Sequence, residues 1–270
     1  MLIGACNPML CPIWGFRHLS RDQDLLRLFN RSDRDIFTEV ATELKRKEAT
    51  DPVVISHAER QQAKAICYGI IYGQTQYGLA RETGMTEAAA LSYIKAFLGK
   101  YNTMAAYLDS VRSAAKRTGQ SVTIQGRPRK LNFLTVDELT HSKAERQAVN
   151  TTVQGSAADI VKVAVIEVDK EITILHKDHR KRDGKARKAD GANAAARSRT
   201  RGPALVMMMH DELIYQVPEG DDGVEAVRLI KRTMERTVRQ KLALRVPLVV
   251  EINVGKIWGN LEPFRLEDEL

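Results

Sequence analysis

Four side chains at four-residue steps constrain the fold of this chain more than any other feature. Arg60, Lys64, Tyr68 and Tyr72 lie in a run that ends at Gly73, and side chains with this spacing lie nearly one above the other on an α-helix. The two cations can donate charge-assisted hydrogen bonds to a polyanion, and the two rings offer flat faces to a sugar or a base. These four residues, the Arg60 stripe, predict a nucleotide-binding helix. The alternative is a solvated helix face with two half-buried tyrosines.

The helix of the stripe has a predicted start, and the other elements follow from periodicity. Ser56 followed by Glu59 is a capping box, in which the two residues satisfy each other's backbone N–H groups. Helical spacing dominates the first half of the chain and short β-prone runs appear in the second, which predicts an α+β fold with an antiparallel sheet and helices packed on it. The other predicted helices are 24–30, 33–47, 86–98, 103–117, 143–175 (with a break near Gly155) and 224–242, and the strands are 121–124, 204–209, 213–217 and 248–254.

The positive charge of the chain is local. The 270 residues carry a formal net charge of +8, but residues 176–202 hold ten Lys or Arg against three Asp and so account for +7 of it. This segment has almost no large apolar side chain, and we expect a disordered or weakly ordered basic insertion. It either holds nucleic acid through phosphate contacts or is simply a solvated loop.

Composition excludes several classes of protein. The chain has 43% hydrophobic and 28% charged residues, as an ordinary soluble protein has, and no apolar run approaches the roughly 20 residues that span a bilayer. We therefore expect no membrane partner. Residues 1–13 lack the basic start and cleavage site of a secretory signal. Cys6, Cys11 and Cys67 have no CxxC or metal-binding spacing, which indicates a reducing, intracellular compartment.

A second polar stripe lies on the predicted long helix. Arg146, Asn150 and Gln154 follow one another at four-residue steps, while Ala148 and Val153 occupy other faces. Donors without an acidic partner suit contacts to phosphate, sugar or base edges. An ordinary polar helix face is the alternative.

Two shorter motifs carry charge at turns. His210-Asp211-Glu212 lies between two predicted strands and presents two carboxylates at a hairpin, and oxygen ligands are what Mg²⁺ prefers. Acidic surface turns are common, so this motif alone is weak. The basic turn 126–130, of sequence GRPRK, either grips backbone phosphate or is a solvated loop.

Taken together, these motifs resemble the family A DNA polymerases. Within the family the chain is most similar to the polymerase theta branch, which also carries an insertion where residues 176–202 fall. Polymerase nu and bacterial polymerase I are less similar. The matching segments occur in the family's order: 60–73 for the fingers motif, 144–160 for the long palm helix and 210–213 for the palm hairpin, with 18–22 and Trp258-Gly259 as further landmarks.

The resemblance implies a DNA-directed DNA polymerase of repair or replication type. A primer 3′-hydroxyl would attack the α-phosphate of a dNTP and release pyrophosphate, with DNA primer-template and dNTP as partners and Mg²⁺ as cofactor, two ions being expected in the family. The fold would be that of a right-hand polymerase, with helical fingers, a partial palm and the thumb missing. The theta-like character implies a nuclear location. An unrelated metal-dependent nuclease would leave the Arg60 stripe unexplained.

The resemblance also implies a role for each site residue. Arg60 and Lys64 would hold the triphosphate, with Lys64 offsetting charge on the phosphoryl being transferred, and Tyr68 would lie against the sugar. Asp211 would ligate Mg²⁺ and Glu212 would support that site. The residues implied to contact template or primer are Tyr72, Gly73, Arg146, Asn150, Gln154 and His210.

One departure from the family concerns catalysis. Counting back from His18, the family's metal-binding aspartate falls at Asn7 and its sugar-gating glutamate at Pro12. The segment 1–17 therefore reads as an atypical replacement of the first palm strand, since prolines interrupt central strands. We expect little or no polymerase activity from this chain by itself. It is either the truncated fingers and palm of an active DNA polymerase or a catalytically inactive fragment that still binds nucleotide or nucleic acid. The further boundaries implied are 18–57 for palm-to-fingers helices, 58–125 for fingers and 126–270 for the palm with its basic insertion.

Overall fold

The chain forms two compact units. The computed structural model describes residues 1–6, 18–23, 36–46, 54–133, 138–190, 202–209 and 212–264. Pro12–Ala157 form one unit, here the helical unit, and Met1–Cys11 with Ala158–Leu270 form the other, the sheet unit. Across the described residues, no helix is both long and apolar enough to cross a membrane. The domain boundaries at 17, 57 and 125 stay predictions.

The helical unit is a series of capped helices with one small hairpin. Ser56 caps the helix of the Arg60 stripe, as predicted, and Thr75 and Thr86 accept backbone N–H groups at the starts of the next two helices. Gly84 and Gly119 end two helices in the left-handed conformation. The elements are α1 (Ile36–Arg46), α2 (His57–Ile71), α3 (Gln76–Thr83), α4 (Glu87–Lys100), α5 (Asn102–Thr118), β2 (Gln120–Val122), β3 (Pro128–Lys130), α6 (Glu138–Asn150) and a π-helical turn, Thr151–Gly155.

A buried acid anchors the landmark at residues 18–22. Asp22 is 3% exposed, and its Oδ2 accepts a hydrogen bond of 3.1 Å from the backbone N of Met104, in the first turn of α5. The N-cap of α5, Tyr101, makes no side-chain cap. The first N–H groups of a helix have no partner within the helix and favour a nearby negative charge. Asp22 therefore caps α5 in place of the N-cap side chain.

The sheet unit contains a five-stranded antiparallel sheet, whose strands lie in the order β4 (Ala204–Met209), β5 (Glu212–Gln216), β1 (Leu2–Cys6), β6 (Glu251–Gly255) and β7 (Glu262–Pro263). The predicted hairpin is confirmed as β4 and β5, whereas the closing strand begins three residues later than predicted. The elements are α7 (Ser156–Asp190), β1 (Leu2–Cys6), β4 (Ala204–Met209), β5 (Glu212–Gln216), α8 (Asp221–Arg232), a π-helical turn (Thr233–Thr237), α9 (Val238–Lys241), β6 (Glu251–Gly255) and β7 (Glu262–Pro263).

The start of the chain forms the middle strand of this sheet. We expected prolines to interrupt a central strand between residues 1 and 16, but β1 pairs with both β5 and β6, and Ile3 is fully buried. The prediction is wrong for residues 2–6, which form β1 and precede both prolines in sequence. Pro8 and Pro12 themselves lie outside the described residues.

The basic insertion is helical over its first part. Residues 176–190, expected to be disordered or weakly ordered, continue α7 to Asp190. Ala, Lys and Arg are good helix formers, so an existing helix extends through them without needing a core of their own. Residues 191–201 and the predicted helix 24–30 lie outside the described residues. The predicted break near Gly155 is confirmed as the π-helical turn.

Candidate functional site

The Arg60 stripe lies on one well-defined helix of the helical unit. The capping box at the start of α2 is complete: Glu59 N donates to Ser56 Oγ at 3.3 Å, and Ser56 N donates to Glu59 Oε2 at 2.7 Å. At the other end the rings of Tyr68 and Tyr72 are stacked, with centroids 6.3 Å apart and planes 23° apart. The predicted succession of cations and aromatic rings along one face is therefore present.

An aromatic ring from α1, which the sequence did not single out, supports both cations of the stripe. The guanidinium of Arg60 lies 5.5 Å from the centroid of Phe37, and the ammonium of Lys64 lies 5.9 Å from it. Lys64 also lies 5.8 Å from the ring of Tyr68, which meets Phe37 edge-on at 5.7 Å. Cation–π attraction of this kind holds a charged side chain over an apolar floor. The periodicity of residues 33–47 predicted a helix but gave no sign of what packs on it.

The end of the stripe meets the second polar stripe within the same unit. Gln154 Nε2 donates a hydrogen bond of 2.9 Å to the hydroxyl of Tyr72, 82 residues away in sequence. Gly73 has a φ of +75°, and a Cβ there would lie 3.3 Å from Arg112 Nη2 and 3.7 Å from Arg146 Cγ. Tyr72, Gly73, Arg146 and Gln154, which were predicted separately as template or primer contacts, thus form one cluster.

The polar face of α6 and of the π-helical turn faces outward, as the spacing predicted. Arg146 and Gln154 are exposed and Asn150 is half-buried, whereas Ala148 and Val153 are fully buried. The Oδ1 atom of Asn150 is buried and has no hydrogen-bond partner among the described residues. Such an acceptor is costly unless a ligand or water satisfies it.

In the sheet unit, the described part of the predicted acidic site is a single carboxylate. Glu212 is the first residue of β5 and pairs with Cys6, the last residue of β1. Its side chain lies against Gly4, where a Cβ would overlap Glu212 Oε1. His210 and Asp211, predicted to contact the primer and to ligate Mg²⁺, lie outside the described residues, as does Asn7.

The donors that the sequence predicts for this site do not fit a pair of Mg²⁺ ions. In a two-metal site, carboxylates bridge two ions about 4 Å apart. The segment after β1 begins with Asn7, whose side chain offers a neutral carbonyl oxygen, and the segment before β5 ends with Asp211. The set of donors therefore lacks the second bridging carboxylate.

A different group of side chains of the types that bind metals lies elsewhere in the sheet unit, and the sequence did not predict it. Among the residues that the structure describes, ligand atoms of His179, Asp222 and Glu225 all lie within 4.8 Å of one another. His179 Nε2 is 3.1 Å from Glu225 Oε2. The three-residue spacing of the two acids on α8 is visible in the sequence. Their meeting with His179, 46 residues before Glu225, is a tertiary contact that spacing cannot give.

The sequence and the fold match one family over almost the whole chain. The family model described as DNA polymerase family A matches residues 15–260. DNA polymerase theta of Mus musculus is 35% identical over 261 residues, 92% of this chain and 10% of the relative. DNA polymerase I of Lactococcus lactis subsp. cremoris is 31% identical over 242 residues, 89% of this chain and 24% of the relative.

A solved structure of similar fold covers the same region. It is described as the POL domain of Pol1 from M. smegmatis in complex with DNA primer-template and dNTP, with a TM-score of 0.73 and 29% identity. The match covers 95% of this chain and 40% of that structure. The chain therefore spans less than half of the solved domain and a quarter or less of the two relatives.

Proposed function

This chain belongs to DNA polymerase family A, and from that premise we propose that it binds a dNTP and a DNA primer-template for template-directed DNA synthesis. The observation that carries the proposal is the continuous set of contacts within the helical unit. Cations held over Phe37 lead to stacked tyrosines, and Tyr72 in turn accepts a hydrogen bond from Gln154. A nucleotide presents its charges and rings in this order along one direction.

We propose Arg60 and Lys64 as the ligands of the triphosphate and Tyr68 as the support of the sugar. Hydrogen bonds from a cation to phosphate are roughly twice as strong as neutral ones. The ring of Phe37 lies beneath both cations, so less side-chain freedom is lost when phosphate binds. As the phosphoryl group is transferred, Lys64 would offset the charge that develops on it.

For the primer-template we propose the cluster of Tyr72, Gly73, Arg146 and Gln154, together with Asn150 and His210. The positive φ of Gly73 would strain any other residue, and a Cβ there would contact Arg112 and Arg146. The unpartnered oxygen of Asn150 is an acceptor for a donor on a base or a sugar. The M. smegmatis structure, whose description includes primer-template and dNTP, supports this class of ligand.

Catalysis by this chain would be weak. Bound Mg²⁺ supplies charge stabilisation at the attacking and leaving oxygens in two-metal phosphoryl transfer. Asp211 is the proposed ligand of one ion and Glu212 its support. Cys6 pairs with Glu212, so the end of β1 lies beside the start of β5, and the next residue in sequence, Asn7, carries no charge. Binding of nucleotide and primer-template without synthesis is the second candidate function, and the residues Asn7 and Pro12 favour it.

The cellular role follows from likeness alone. We propose a repair or replication role and a nuclear location from the similarity to mouse polymerase theta, although bacterial polymerase I is also a relative. Imaging of a fluorescently tagged chain tests the location. A cytosolic signal that excludes the nucleus would contradict it.

A nucleotide titration with matched lysine variants tests the proposal. With a fluorescent dNTP in the presence of primer-template, Lys64→Ala should weaken binding by about 10- to 100-fold, because a hydrogen bond to a charged group contributes roughly 1.5–3 kcal/mol. Lys95 is an exposed side chain of α4 in the same unit, and Lys95→Ala should change binding less than about 2-fold. Equal effects of the two variants, or no effect of either, would remove the Arg60 stripe from the nucleotide site.

A primer-extension assay then separates synthesis from binding. If the chain binds dNTP through Lys64 but extends no primer, the second candidate function holds. Rapid Mg²⁺-dependent extension would show that the site works without an aspartate at position 7.

A further inference from the structure

The hairpin β2–β3 packs on the π-helical turn that carries Gln154. Ser121 Oγ donates to the backbone oxygen of Ala148 at 2.9 Å and lies 2.9 Å from Thr152 Oγ1. On the other side of the turn, Ile124 N donates to Ser156 Oγ at 2.8 Å. Ser121 and Ser156 are both buried. The hairpin therefore contacts the residues before and after the turn, as well as the turn itself.

The hydroxyl groups around the π-helical turn bond to the helix backbone. Thr151 Oγ1 donates to the oxygen of Gln147 at 2.7 Å, Thr152 Oγ1 to the oxygen of Ala148 at 3.1 Å, and Ser156 Oγ to the oxygen of Thr152. A π-helical turn spaces its hydrogen bonds one residue wider than an α-helix does. Side-chain donors can satisfy carbonyl groups that this wider spacing leaves poorly paired.

Two arginines of the basic turn also bond to this segment. Arg127 Nη2 donates to the backbone oxygen of Gly155 at 3.2 Å, and Arg129 Nη1 donates to Thr151 Oγ1 at 3.3 Å. The two readings of the basic turn from sequence were a phosphate grip and a solvated loop. The structure shows a third use for these guanidinium groups, which is to hold the ends of the π-helical turn.

The last residue of the turn must be glycine for the hairpin to pack. A Cβ on Gly155 would lie 2.7 Å from Thr123 Cγ2, a distance that packed atoms do not adopt. Thr123 is buried, and its hydroxyl accepts the backbone N–H of Arg127 at 3.2 Å. The methyl of Thr123 thus packs on the helix while its hydroxyl shapes the hairpin turn.

We propose that the β2–β3 hairpin is a positioning element. It fixes the rotation of the π-helical turn about the helix axis, so that the side chain of Gln154 reaches the hydroxyl of Tyr72. One residue of an α-helix turns by about 100°, so a turn that reverted to α-helical spacing would rotate Gln154 away from the tyrosine hydroxyl. Ser121, Thr123 and Arg127 are then positioning residues, with no contact to substrate required. The consequence for templating rests on the proposed function, whereas the positioning itself does not.

Spectroscopy of the full chain without DNA tests the positioning. With 3-fluorotyrosine incorporated at position 72, Gln154→Ala defines the ¹⁹F shift of the unbonded phenol. Arg127→Ala should move the signal toward that value and should speed amide exchange at residues 151–156 by about tenfold, the factor that 1.4 kcal/mol gives. The matched control Lys130→Ala, in the same basic turn, should change neither. An unmoved ¹⁹F signal in Arg127→Ala would overturn the proposal.

A steric pair gives a second test that does not depend on charge. Gly155→Ala should shift the ¹⁹F signal of position 72 through the clash with Thr123, and Thr123→Ser should restore it, because serine lacks the methyl but keeps the hydroxyl that accepts Arg127 N–H. The interaction between the two changes is read as a double-mutant cycle. Independent effects, with no rescue, would show that the hairpin does not set the turn.

Nucleotide and DNA binding separate this proposal from the proposed function. If the ¹⁹F and exchange results hold but Gln154→Ala leaves primer-template binding unchanged, the hairpin positions the turn and the template role of Gln154 is wrong. If Arg127→Ala instead lowers the salt dependence of DNA binding without moving the ¹⁹F signal, the arginine contacts phosphate and the positioning proposal fails.

Discussion

The helical unit and the sheet unit differ in how much the structure describes of the site that the sequence predicts. In the helical unit, residues predicted for nucleotide and for template contact one another directly, through stacked rings and the hydrogen bond from Gln154 to Tyr72. In the sheet unit, the strands pair in register around β1, yet the residue after β1 is Asn7. A strand framework depends on apolar burial and backbone pairing, whereas a metal site depends on charge at single positions. One can persist without the other.

The largest effect is expected from a substitution that adds a negative charge to the sheet unit. Asn7→Asp should raise Mg²⁺-dependent primer extension by about 100-fold or more, because metal ions contribute several kcal/mol to charge stabilisation and each 1.36 kcal/mol is a factor of ten. Extension of a labelled primer under single-turnover conditions measures it.

Two variants control this gain. Asp211→Ala added to Asn7→Asp should return extension to the starting level while sparing most duplex binding. Asn7→Ser, which is also neutral, should give no gain. If Asn7→Asp leaves extension unchanged while dNTP and primer-template still bind, the missing carboxylate is not what distinguishes the two units.

The next largest effect is expected from core mutations, which test whether each unit is stabilised by its own core. Ile3 in β1 and Ile66 in α2 are 0% and 1% exposed, and truncation of such a residue to alanine costs about 2–5 kcal/mol. Ile3→Ala should speed amide exchange mainly in β5 and β6, and Ile66→Ala mainly in α2. If either variant speeds exchange equally in both units, the two cores unfold together. The units would then differ only in their predicted site residues and not in their stability.

The sequence predicted the individual helices and strands better than it predicted which of them contact one another. The capping box at Ser56, the hairpin around residue 210 and the break near Gly155 follow from local rules, and each is present. Local rules failed at β1, where two prolines suggested no strand although residues 2–6, which precede them in sequence, form one. They also failed at residues 176–190, where charge suggested disorder although helix propensity extends α7.

The candidate site shows the same limit. Spacing identified the Arg60 stripe and the stripe of Arg146, Asn150 and Gln154 separately. It could not show that Gln154 meets Tyr72 or that Phe37 lies beneath Arg60, because these contacts join residues that are far apart in sequence. Such contacts depend on how helices pack, and an isolated helix pattern does not specify its partner.

A smaller effect tests the aromatic floor of the helical unit. Phe37→Leu keeps an apolar side chain but removes the ring beneath Arg60 and Lys64, and cation–π contacts contribute about 0.5–1 kcal/mol at such sites. Binding of a fluorescent dNTP should weaken by roughly two- to fivefold. Phe97→Leu, a buried ring that meets Tyr101 at 4.9 Å in the same unit, is the matched control. Tighter binding by Phe37→Leu would mean that the ring competes with phosphate for the cations.

The smallest effect is a pH response at the start of α2. The hydrogen bond from Lys45, followed by those from the backbone and hydroxyl of Ser56, lowers the pKa of Glu59 from its ordinary 4.5 to about 2. Because the pKa is lower in the folded chain, the capping box contributes its full stabilisation above about pH 4.5 and loses it as the pH falls toward 2. Amide chemical shifts of residues 56–60, followed by NMR from pH 6 to pH 2, should change in that window.

Helix α4 provides an internal reference for this response. Its cap, Thr86, accepts the backbone N–H of Ala89 at 3.2 Å through a hydroxyl, which does not titrate in this range. The first turn of α4 carries one carboxylate, Glu87, so the reference is the Glu87→Gln variant. In that variant the first turn of α4 should stay unchanged while that of α2 responds, and Glu59→Gln should abolish the response of α2. If both helices respond alike, the acid is acting on the whole helical unit. The start of α2 would then owe its order to packing rather than to the carboxylate of Glu59.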